Sequence, residues 1–367
     1  MNNKKIKLLF TDHAPLVGGA LIALLRHIEN IDNKRFEAHL VVSPDCEDFN
    51  LKARNKLGPR FHVIPFGRLK PLSFRTPFQF ITSIFHLLRL AIKLKSEVLI
   101  ANVERAFYST FIVSLILNRE LILIIRDFEF SHTLLRLTRF KVSHYLVVSD
   151  KIKSFYQLPS DKTTVVYVGS DIYKIYEKIS SDQIRNNRIK NINANDDDFV
   201  IGFVGRIIEW KGPFLMLEAL NLLLKEYEEL GLIIKPDNVK LAMLGTGPDE
   251  QEVREYINQQ SLSMHVVFPG FVDNTPLWYK SFDVYVHASV GDEPYATTVI
   301  EAAFAKTPII ATNTGGTAEF IVNESTGLLI EPNVQELKTA LVRTVNDADL
   351  RKNLADNAYE RAVSENK

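Results

Sequence analysis

Two glutamates, Glu293 and Glu301, stand eight positions apart where a polar loop is predicted to become a helix. Pro294 cannot lie inside a helix, and Thr297 or Thr298 can cap the apolar run that follows, so we expect the helix to begin near Thr298. Glu293 then lies in the loop and Glu301 in the first helical turn. The amides between the two carboxylates point out of the helix N-terminus, where unsatisfied donors and the helix dipole stabilise an anion.

A ligand suited to this site has a diphosphate in its middle and a hydroxylated ring on either side. Ionised carboxylates accept hydrogen bonds from vicinal hydroxyls, and the helix N-terminus favours the phosphates. A nucleotide sugar has this layout. The alternative is that both glutamates are ordinary, because Glu is common in a first helical turn and a Glu before Pro in a loop is usually solvated.

A second loop favours the functional interpretation. The predicted strand at residues 307–312 is followed by Asn313, Thr314 and the pair Gly315-Gly316, which form a loop with little side-chain bulk. If this half of the chain is a parallel sheet, this loop and the loop that carries Glu293 open on the same edge.

The stretch EPYATTVIEA, followed by ATNTGGTAE, resembles the signature of the retaining GT-B glycosyltransferases, the glycosyl transferases group 1. That large family includes sucrose synthase and bacterial mannosyl- and glucosyltransferases. The resemblance implies that Glu293 contacts the donor hexose and Glu301 the ribose, with Thr297 and Thr298 at the diphosphate. The family usually has Gly where this chain has Ala296, so the backbone approach to the diphosphate is expected to be slightly altered.

A second motif, GRIIEWKG, follows the predicted strand at residues 199–204. It begins with Gly205 and Arg206 and ends at Lys211, and Pro213 suits the first position of the helix that follows. Arg offers a planar fork for phosphate and Lys a point charge. The motif matches the family's Gly-Arg and Lys-Gly element, which implies that these cations hold the donor diphosphate without a metal ion or other cofactor.

Two more loops are assigned to the donor by the same resemblance. The run VKLAMLGTGPDE predicts a strand that ends at Gly245 and Gly247, and the family has a similar loop beside the nucleotide. The run VVFPGFV places Phe271 and Val272 where relatives contact the base, largely through backbone. A tight turn is the alternative for the glycine pair.

The first half of the chain alternates short apolar runs with helical ones, which indicates a doubly wound, mostly parallel sheet. The predicted strands cover residues 6–10, 37–42, 61–65, 98–101, 121–125, 145–149 and 164–168. After the first of them, Gly18 and Gly19 directly precede a predicted helix. They resemble the family's first-loop glycine pair, which lies across the cleft from the donor phosphates, although two glycines alone also fit a flexible turn.

The expected fold class is α/β, with two Rossmann-like, doubly wound parallel-sheet domains that the resemblance to GT-B proteins places face to face across a cleft. We predict an acceptor-binding domain at residues 1–178, a polar linker at 179–198, and a nucleotide-sugar-binding domain at 199–367. The chain of 367 residues is long enough for two separate cores.

Composition narrows the class of protein further. No apolar run reaches the roughly 18 residues that span a bilayer, and the N-terminal apolar stretch is too short for a signal peptide. Cys46 is the only cysteine, so neither a disulfide framework nor a thiolate metal site is expected. We therefore expect a cytoplasmic protein, with the inner face of the membrane as one possible location.

Charge is distributed unevenly although the formal net charge is zero. Residues 1–180 contain 27 Lys and Arg against 16 Asp and Glu, whereas residues 181–367 contain 17 against 28. Basic residues are mixed with phenylalanines at 68–95, which suits an anionic membrane surface, although an ordinary helix with a basic polar face is the alternative. The chain lacks helix-turn-helix, zinc and aromatic RNA-binding motifs, so no nucleic-acid partner is expected.

Polar residues that follow two strands of the first half are candidates for binding the acceptor. Asn102, Glu104 and Arg105 follow one strand, and Arg126 and Asp127 follow another. The family often has His ahead of Asp where this chain has Arg126, and because Arg cannot act as a base at neutral pH, its role would be charge stabilisation. The candidate catalytic residues are therefore Arg206, Lys211, Glu293 and Arg126.

The resemblance implies a retaining, metal-independent glycosyltransferase. It would move a hexose-type sugar from a nucleotide diphosphate sugar to a glycan or lipid-linked acceptor, in cell-surface polysaccharide synthesis. Two alternatives stay open. One is a nucleotide-sugar 2-epimerase of the same architecture, and the other is a catalytically silent, sugar-binding subunit.

Overall fold

The computed structural model describes residues 4–13, 19–66, 76–167 and 173–366. The chain separates into two units, Met1–Val166 and Tyr167–Lys367. Each unit contains one parallel sheet with helices between successive strands, so the predicted α/β class is confirmed for both. No helix of the described residues combines the length and the apolar character needed to span a bilayer.

The first unit contains the strands β1 (Ile6–Thr11), β2 (Phe36–Val42), β3 (Phe61–Val63), β4 (Val98–Ala101), β5 (Glu120–Ile125), β6 (Val142–Val147) and β7 (Thr163–Val165). They pair in parallel in the order β3-β2-β1-β4-β5-β6-β7. All seven predicted strands of this half are present, with ends that differ by at most three residues. Prediction succeeds here because strands covered by helices on both faces read as short, continuous apolar runs.

The helices of the first unit are α1 (Gly19–Asn30), α2 (Glu47–Leu57), α3 (Thr76–Leu94), α4 (Glu104–Ile116), α5 (His132–Thr138) and α6 (Asp150–Phe155). α1 and α2 bury an apolar stripe against β1 and β2 that includes Leu24, Ile28 and Phe49. α3 packs beside α4. The change in strand order between β1 and β4 creates a switch point, and in such sheets ligands bind beyond the carboxyl ends of the strands at that point.

The second unit contains the strands β8 (Phe199–Val204), β9 (Val239–Leu244), β10 (Val266–Gly270), β11 (Val284–His287), β12 (Ile309–Thr312) and β13 (Leu328–Ile330). Their order is β10-β9-β8-β11-β12-β13, again with all neighbours parallel, so the switch point lies between β8 and β11. The helices are α7 (Tyr173–Tyr176), α8 (Ser181–Asn187), α9 (Pro213–Lys225), α10 (Glu250–Gln259), α11 (Thr275–Ser281), α12 (Thr297–Phe304), α13 (Val334–Asn346) and α14 (Ala348–Asn366).

The predicted linker at residues 179–198 instead contains α8 and a further helical turn that ends at Ile192, and it belongs to the second unit. α8 begins with a capping box in which the Ser180 and Gln183 side chains bond each other's backbone amides. The Asn187 amide donates to the Ser281 hydroxyl over 3.0 Å, and Arg188 pairs with Asp283 over 3.0 Å. The polar residues that suggested a linker therefore form hydrogen bonds and an ion pair within the second unit. The two units separate at residue 166 rather than at the predicted 178.

A histidine pair at the edge of the first sheet makes stability depend on pH. His39 Nδ1 lies 3.1 Å from His62 Nε2 with the rings stacked, and His39 Nε2 lies 2.9 Å from Glu37 Oε1. Burial, followed by His39 and Lys93, lowers the pKa of His62 to about 4. The unfolded chain binds a proton on His62 near pH 6.5, whereas the folded chain binds it only near pH 4. The contribution of His62 to stability is therefore complete above pH 6.5 and is lost as the pH falls toward 4.

We predict that His62→Gln flattens the acid side of the stability profile. Between pH 7 and pH 5 the unmodified protein should lose on the order of 1–2 kcal/mol through His62, allowing for a partly exposed ring. Thermal unfolding at both pH values measures the loss, and His86→Gln on the exposed face of α3 is the control. Equal pH dependence in the unmodified protein and in His62→Gln would contradict the prediction.

Candidate functional site

The loops after β8 and β11 meet at the switch point of the second sheet. β8 has β9 on one side and β11 on the other, and all three strands are parallel. The carboxyl ends of these strands therefore carry residues 205–212 and 288–296 at one edge of the sheet. This is the position at which open α/β sheets bind ligands.

Lys211 and Glu293 form an ion pair at this edge, with Lys211 Nζ donating to Glu293 Oε2. The carboxylate is buried, and the Ser289 hydroxyl donates to the same oxygen over 3.4 Å. The Lys211 ammonium also lies 4.5 Å from the centroid of the Trp210 ring, in cation–π geometry. The structure thus brings together two of the candidate catalytic residues, while their roles stay predictions.

A buried histidine stands behind this pair. His287 Nε2 lies 3.9 Å from Glu293 Oε2 and 3.4 Å from the Thr317 hydroxyl. Burial, together with the Lys211 cation, holds the pKa of His287 well below its usual range. A neutral imidazole leaves Lys211 as the cation that balances Glu293.

Backbone contacts from the loop after β12 fix the Glu293 peptide. The Gly316 amide donates to the Glu293 carbonyl over 2.6 Å. Gly315 has φ of 56°, and a Cβ there would lie 1.9 Å from the Glu293 carbonyl oxygen. The Thr312 hydroxyl donates to the Ser289 carbonyl over 2.6 Å. The two loops predicted to share an edge are therefore in direct contact.

The helix after Glu293 differs from its prediction in two ways. α12 begins at Thr297 with Ala296 at the N-cap, so neither Thr297 nor Thr298 caps it. Glu301 is then the fifth residue and lies in the second turn rather than the first. Ala296 has φ of −82°, so glycine is not required at this position. Since alanine has no side-chain acceptor, the first amides of the helix remain available to an anion.

Buried tyrosines surround Glu301. The Tyr176 hydroxyl donates to the Glu301 carbonyl over 2.9 Å. The Tyr279 side chain is fully buried, and burial, with the Glu301 carboxyl beside it, raises the pKa of Tyr279 well above its usual range. Burial likewise raises the pKa of Tyr285, whose hydroxyl lies beside the Thr298 side chain. These phenols keep their protons and support the start of α12 and its carboxylate.

Arg206 is exposed just after β8. Among the residues that the structure describes, the ion pairs of this unit, such as Arg188–Asp283 and Lys211–Glu293, do not include Arg206. Neighbouring glycines bring two backbone segments together. A Cβ on Gly245 would lie 1.8 Å from the Gly205 carbonyl oxygen, and one on Gly247 would lie 1.9 Å from the Ile207 carbonyl oxygen. These glycines are thus required by packing between the β8 and β9 loops, whatever they contact in a ligand.

Phe271 follows β10 at the same edge and is 73% exposed, and Val272 beside it is half-buried. A large aromatic side chain in solvent beyond the carboxyl end of a strand can stack on a planar ring. The structure therefore places the predicted base contacts on the sheet edge that carries Arg206 and Lys211.

A polar chain crosses the switch point of the first unit. The Asn102 amide donates to Asp12 Oδ2 over 2.5 Å, and Arg126 Nε donates to Asn102 Oδ1 over 2.8 Å. Burial lowers the pKa of Arg126 to about 10, while Asp12 counters the shift. Burial, followed by the acidic neighbours Glu129, Glu104 and Asp12, raises the pKa of Asp127 to about 6. Arg126 thus remains charged, and the Asp127 carboxyl group keeps its proton to a higher pH than an ordinary aspartate does.

The other predicted residues of the first unit have mixed surroundings. Glu104 Oε1 accepts from the Tyr108 hydroxyl over 2.8 Å and from the Ser131 amide over 3.1 Å, which ties α4 to the start of α5. Arg105 is half-exposed in the first turn of α4. Gly19 is the first residue of α1 rather than a residue before it, and Gly18 lies outside the described residues.

Sequence reasoning did not find several residues that support the site. Trp210, His287, Ser289, Tyr279 and Tyr285 belong to apolar runs or short loops that look ordinary in the sequence. Trp210 and Ser289 carried the best available signal, because they stand directly beside predicted site residues or at a strand end. No group of three or more His, Cys, Asp or Glu side chains in the described ranges is arranged to hold a metal ion.

Comparisons with known proteins agree with this geometry. The model of the family described as "Glycosyl transferases group 1" matches residues 184–361. An uncharacterized glycosyltransferase, MJ1607, of Methanocaldococcus jannaschii is 29% identical over 63% of this chain and 58% of its own length. The capsular polysaccharide biosynthesis glycosyltransferase CapM of Staphylococcus aureus is 26% identical over 60% of this chain and 54% of its own. The chain thus spans little more than half the length of these curated relatives.

Solved structures match over the whole chain. The crystal structure of Anabaena HepE in complex with UDP and glucose superposes with a TM-score of 0.81, covering 99% of this chain and 96% of that one at 22% identity. A glycosyltransferase from Rickettsia africae gives a TM-score of 0.82 at 17% identity, over 99% and 94% of the two chains. Such likeness establishes the GT-B fold. Residues 184–361 thus match the family of glycosyl transferases group 1.

Proposed function

We propose that this protein is a glycosyltransferase that moves a hexose-type sugar from a nucleotide diphosphate sugar to a glycan or lipid-linked acceptor. The observation that carries the proposal is the Lys211–Glu293 pair at the switch point of the second sheet, beside the uncapped N-terminus of α12. Cation, carboxylate and free amides at one sheet edge match a ligand in which phosphates adjoin a hydroxylated ring. The related fold of HepE, described in complex with UDP-glucose, supports this donor class.

In the proposed complex the donor diphosphate binds the first amides of α12 together with Lys211 and Arg206. Glu293 accepts from hydroxyls of the transferred sugar and Glu301 from the ribose, while Phe271 and Val272 contact the base. Arg206 supports this arrangement because it is exposed and the ion pairs of this unit, in the described part of the chain, do not include it. No metal ion or cofactor is required, since two cations and a helix N-terminus meet the charge of the diphosphate.

We propose that transfer retains the configuration of the sugar. The bond between the anomeric carbon and the diphosphate oxygen breaks, and the electron pair leaves with the diphosphate. The acceptor oxygen attacks from the same face, and its proton passes to the departing phosphate oxygen. Lys211, Arg206 and the α12 amides stabilise the charge that grows on the diphosphate, which is an electrostatic form of catalysis.

The acceptor site is proposed for the first unit, at the carboxyl ends of β4 and β5. Arg126 is a half-buried cation held by Asn102, which suits charge stabilisation rather than proton transfer. Asp127, with its raised pKa, can hold an acceptor hydroxyl in either protonation state. A role in cell-surface polysaccharide synthesis belongs to the same proposal and is supported by the capsular polysaccharide biosynthesis glycosyltransferase CapM. The proposed location is the cytoplasm, at the inner face of the membrane.

Ligand binding and product analysis together test the proposal. Thermal shift with UDP, GDP and ADP, each free and as its glucose or mannose derivative, should identify one base that stabilises the protein. Incubation of that sugar nucleotide without acceptor should give slow hydrolysis. A sugar epimerised at carbon 2 would instead establish the epimerase, binding without any turnover would establish the silent subunit, and no stabilisation by any nucleotide would exclude a donor site.

We predict that Arg206→Ala weakens binding of the nucleoside diphosphate by about 10- to 100-fold, because one charge-assisted contact is lost. The melting temperature without ligand should not change, since the side chain is exposed. Isothermal titration with the diphosphate measures the effect. Lys225→Ala removes an exposed cation at the far end of α9 and is the matched control. Unchanged affinity in Arg206→Ala would remove Arg206 from the site.

A further inference from the structure

The outer face of α3 is apolar where a surface helix is normally polar. Phe78, Ile81, Phe85 and Ile92 are 70%, 63%, 59% and 57% exposed, at spacings of three, four and seven residues. These spacings place the four side chains on one stripe of the helix. The opposite stripe, with Leu87 among its residues, is buried against the unit. An apolar stripe of this size in solvent marks a surface that contacts a partner.

The charged residues on this face of α3 are all basic. α3 contains no acidic residue, and Arg89 and Lys93 are exposed beside the apolar stripe. The end of α4, which packs beside α3, adds exposed Leu115 and Ile116. The face therefore combines large apolar side chains with cations, which is the composition of helices that lie in the interface of anionic membranes.

A cavity of about 350 Å³ lies at the C-terminal end of the stripe. It is lined by Lys4, Lys95, Arg119 and Glu97, and by apolar residues that include Ile92 of the stripe. Glu97 Oε1 accepts from the Lys7 amide over 3.4 Å. Within the described ranges no carboxylate pairs with any of the three lining cations. The cavity is thus a concave site with an excess of positive charge, continuous with an apolar surface.

We propose that the outer face of α3, with the end of α4, docks on an anionic phospholipid surface. The phenylalanines and isoleucines enter the boundary between headgroups and acyl chains. Arg89 and Lys93 meet anionic headgroups, and the cavity with Lys4, Lys95 and Arg119 takes one lipid phosphate. The phosphate chemistry explains the cavity, and the adjoining apolar stripe identifies its source as a lipid rather than a free anion.

A second copy of the chain is the less favourable occupant. A two-fold interface through this face would bring Arg89 and Lys93 toward the same residues of the other copy, with no acid on α3 to compensate.

The phenylalanines of the predicted segment 68–95 differ in their exposure to solvent. Phe78 and Phe85 point to solvent and Phe80 is half-buried, while residues 67–75 lie outside the described part of the chain.

Vesicle flotation with the full chain tests the proposal independently of any transfer activity. The protein should float with vesicles that contain phosphatidylglycerol but not with vesicles of phosphatidylcholine alone, and high salt should reduce binding. Phe78→Ser combined with Phe85→Ser should reduce the bound fraction at least about tenfold, as should Lys95→Glu combined with Arg119→Glu. Inorganic phosphate and glycerol phosphate should release only a minor part of the bound protein, because they replace the cavity contact but leave the apolar stripe inserted and reverse no charge.

Matched controls separate this face from general effects. Ile233→Ser removes an exposed apolar side chain of the second unit, and Lys52→Glu combined with Arg54→Glu on α2 makes the same change in net charge elsewhere. Both should float like the unmodified chain. Equal loss in the α2 variant, or flotation unaffected by the phenylalanine changes, would overturn the proposal. The protein could instead sediment as a dimer without vesicles, and the two serine substitutions could dissociate that dimer. This result would assign the face to self-association.

Discussion

Replacing Lys211 by alanine should lower kcat/KM for sugar transfer by about 10³-fold. One charge-assisted contact to a growing diphosphate charge contributes about 1.5–3 kcal/mol, and removal of a preorganised donor from an active site commonly costs 10²- to 10³-fold. Lys211 also fixes Glu293 by their ion pair, so the alanine variant loses both the phosphate contact and the position of the carboxylate. Steady-state rates with saturating acceptor measure the effect.

The same substitution should cost stability, for a reason that the sequence does not show. Glu293 is buried, and without Lys211 its carboxylate keeps the Ser289 hydroxyl but loses its cation. Removing one partner of a buried ion pair leaves an uncompensated charge and destabilises a protein by about 3–5 kcal/mol. The melting temperature of Lys211→Ala should therefore fall below that of the unmodified protein.

A double variant separates catalysis from stability. Glu293→Gln introduced into Lys211→Ala removes the stranded charge, so the melting temperature should recover while the rate stays low. Lys225→Ala is again the control for loss of a lysine from this unit. Transfer at the unmodified rate in Lys211→Ala, with the fold intact, would exclude the switch-point pair from the reaction.

The local sequence pattern was sufficient to predict the sheet and the sheet edge that carries the candidate site. β8 was predicted with its observed bounds because Phe199–Val204 is a short apolar run between polar residues. Pro213 and Gly212 likewise fixed the start of α9. Since parallel strands end at one edge, two loop motifs eighty residues apart could be placed together without any knowledge of their contacts, and Lys211 and Glu293 do form a pair.

The local sequence pattern could not predict which residues, far apart in the sequence, contact each other in the fold. The segment at residues 179–198 looked like a linker because its helix packs through Asn187 and Arg188, whose partners Ser281 and Asp283 lie about ninety positions away. The Ser180 and Gln183 capping box was readable, since Ser followed three residues later by Gln marks a helix start. The turn that holds Glu301 was missed because Ala296, a poor capping residue, occupies the N-cap.

Gly315→Ala should reduce transfer about 10²-fold although the residue contacts no predicted ligand group. At φ of 56°, an alanine Cβ would lie 1.9 Å from the Glu293 carbonyl oxygen and 2.4 Å from its nitrogen. Both atoms are backbone, so the Glu293 peptide must move by more than about 1 Å, and a displacement of that size in a catalytic group costs about 10²-fold. Rate measurements on purified Gly315→Ala, with its melting temperature, test this.

Gly231→Ala is a matched control, because it isolates backbone strain from the collision. Gly231 has φ of 62°, close to that of Gly315, but a Cβ there meets nothing within 4 Å. Both variants should lose roughly 1 kcal/mol of stability from the left-handed backbone, yet only Gly315→Ala should lose activity. Full activity in Gly315→Ala would show that the Glu293 loop tolerates displacement, and the carboxylate could then not be held in a catalytic position by the glycine loop after β12.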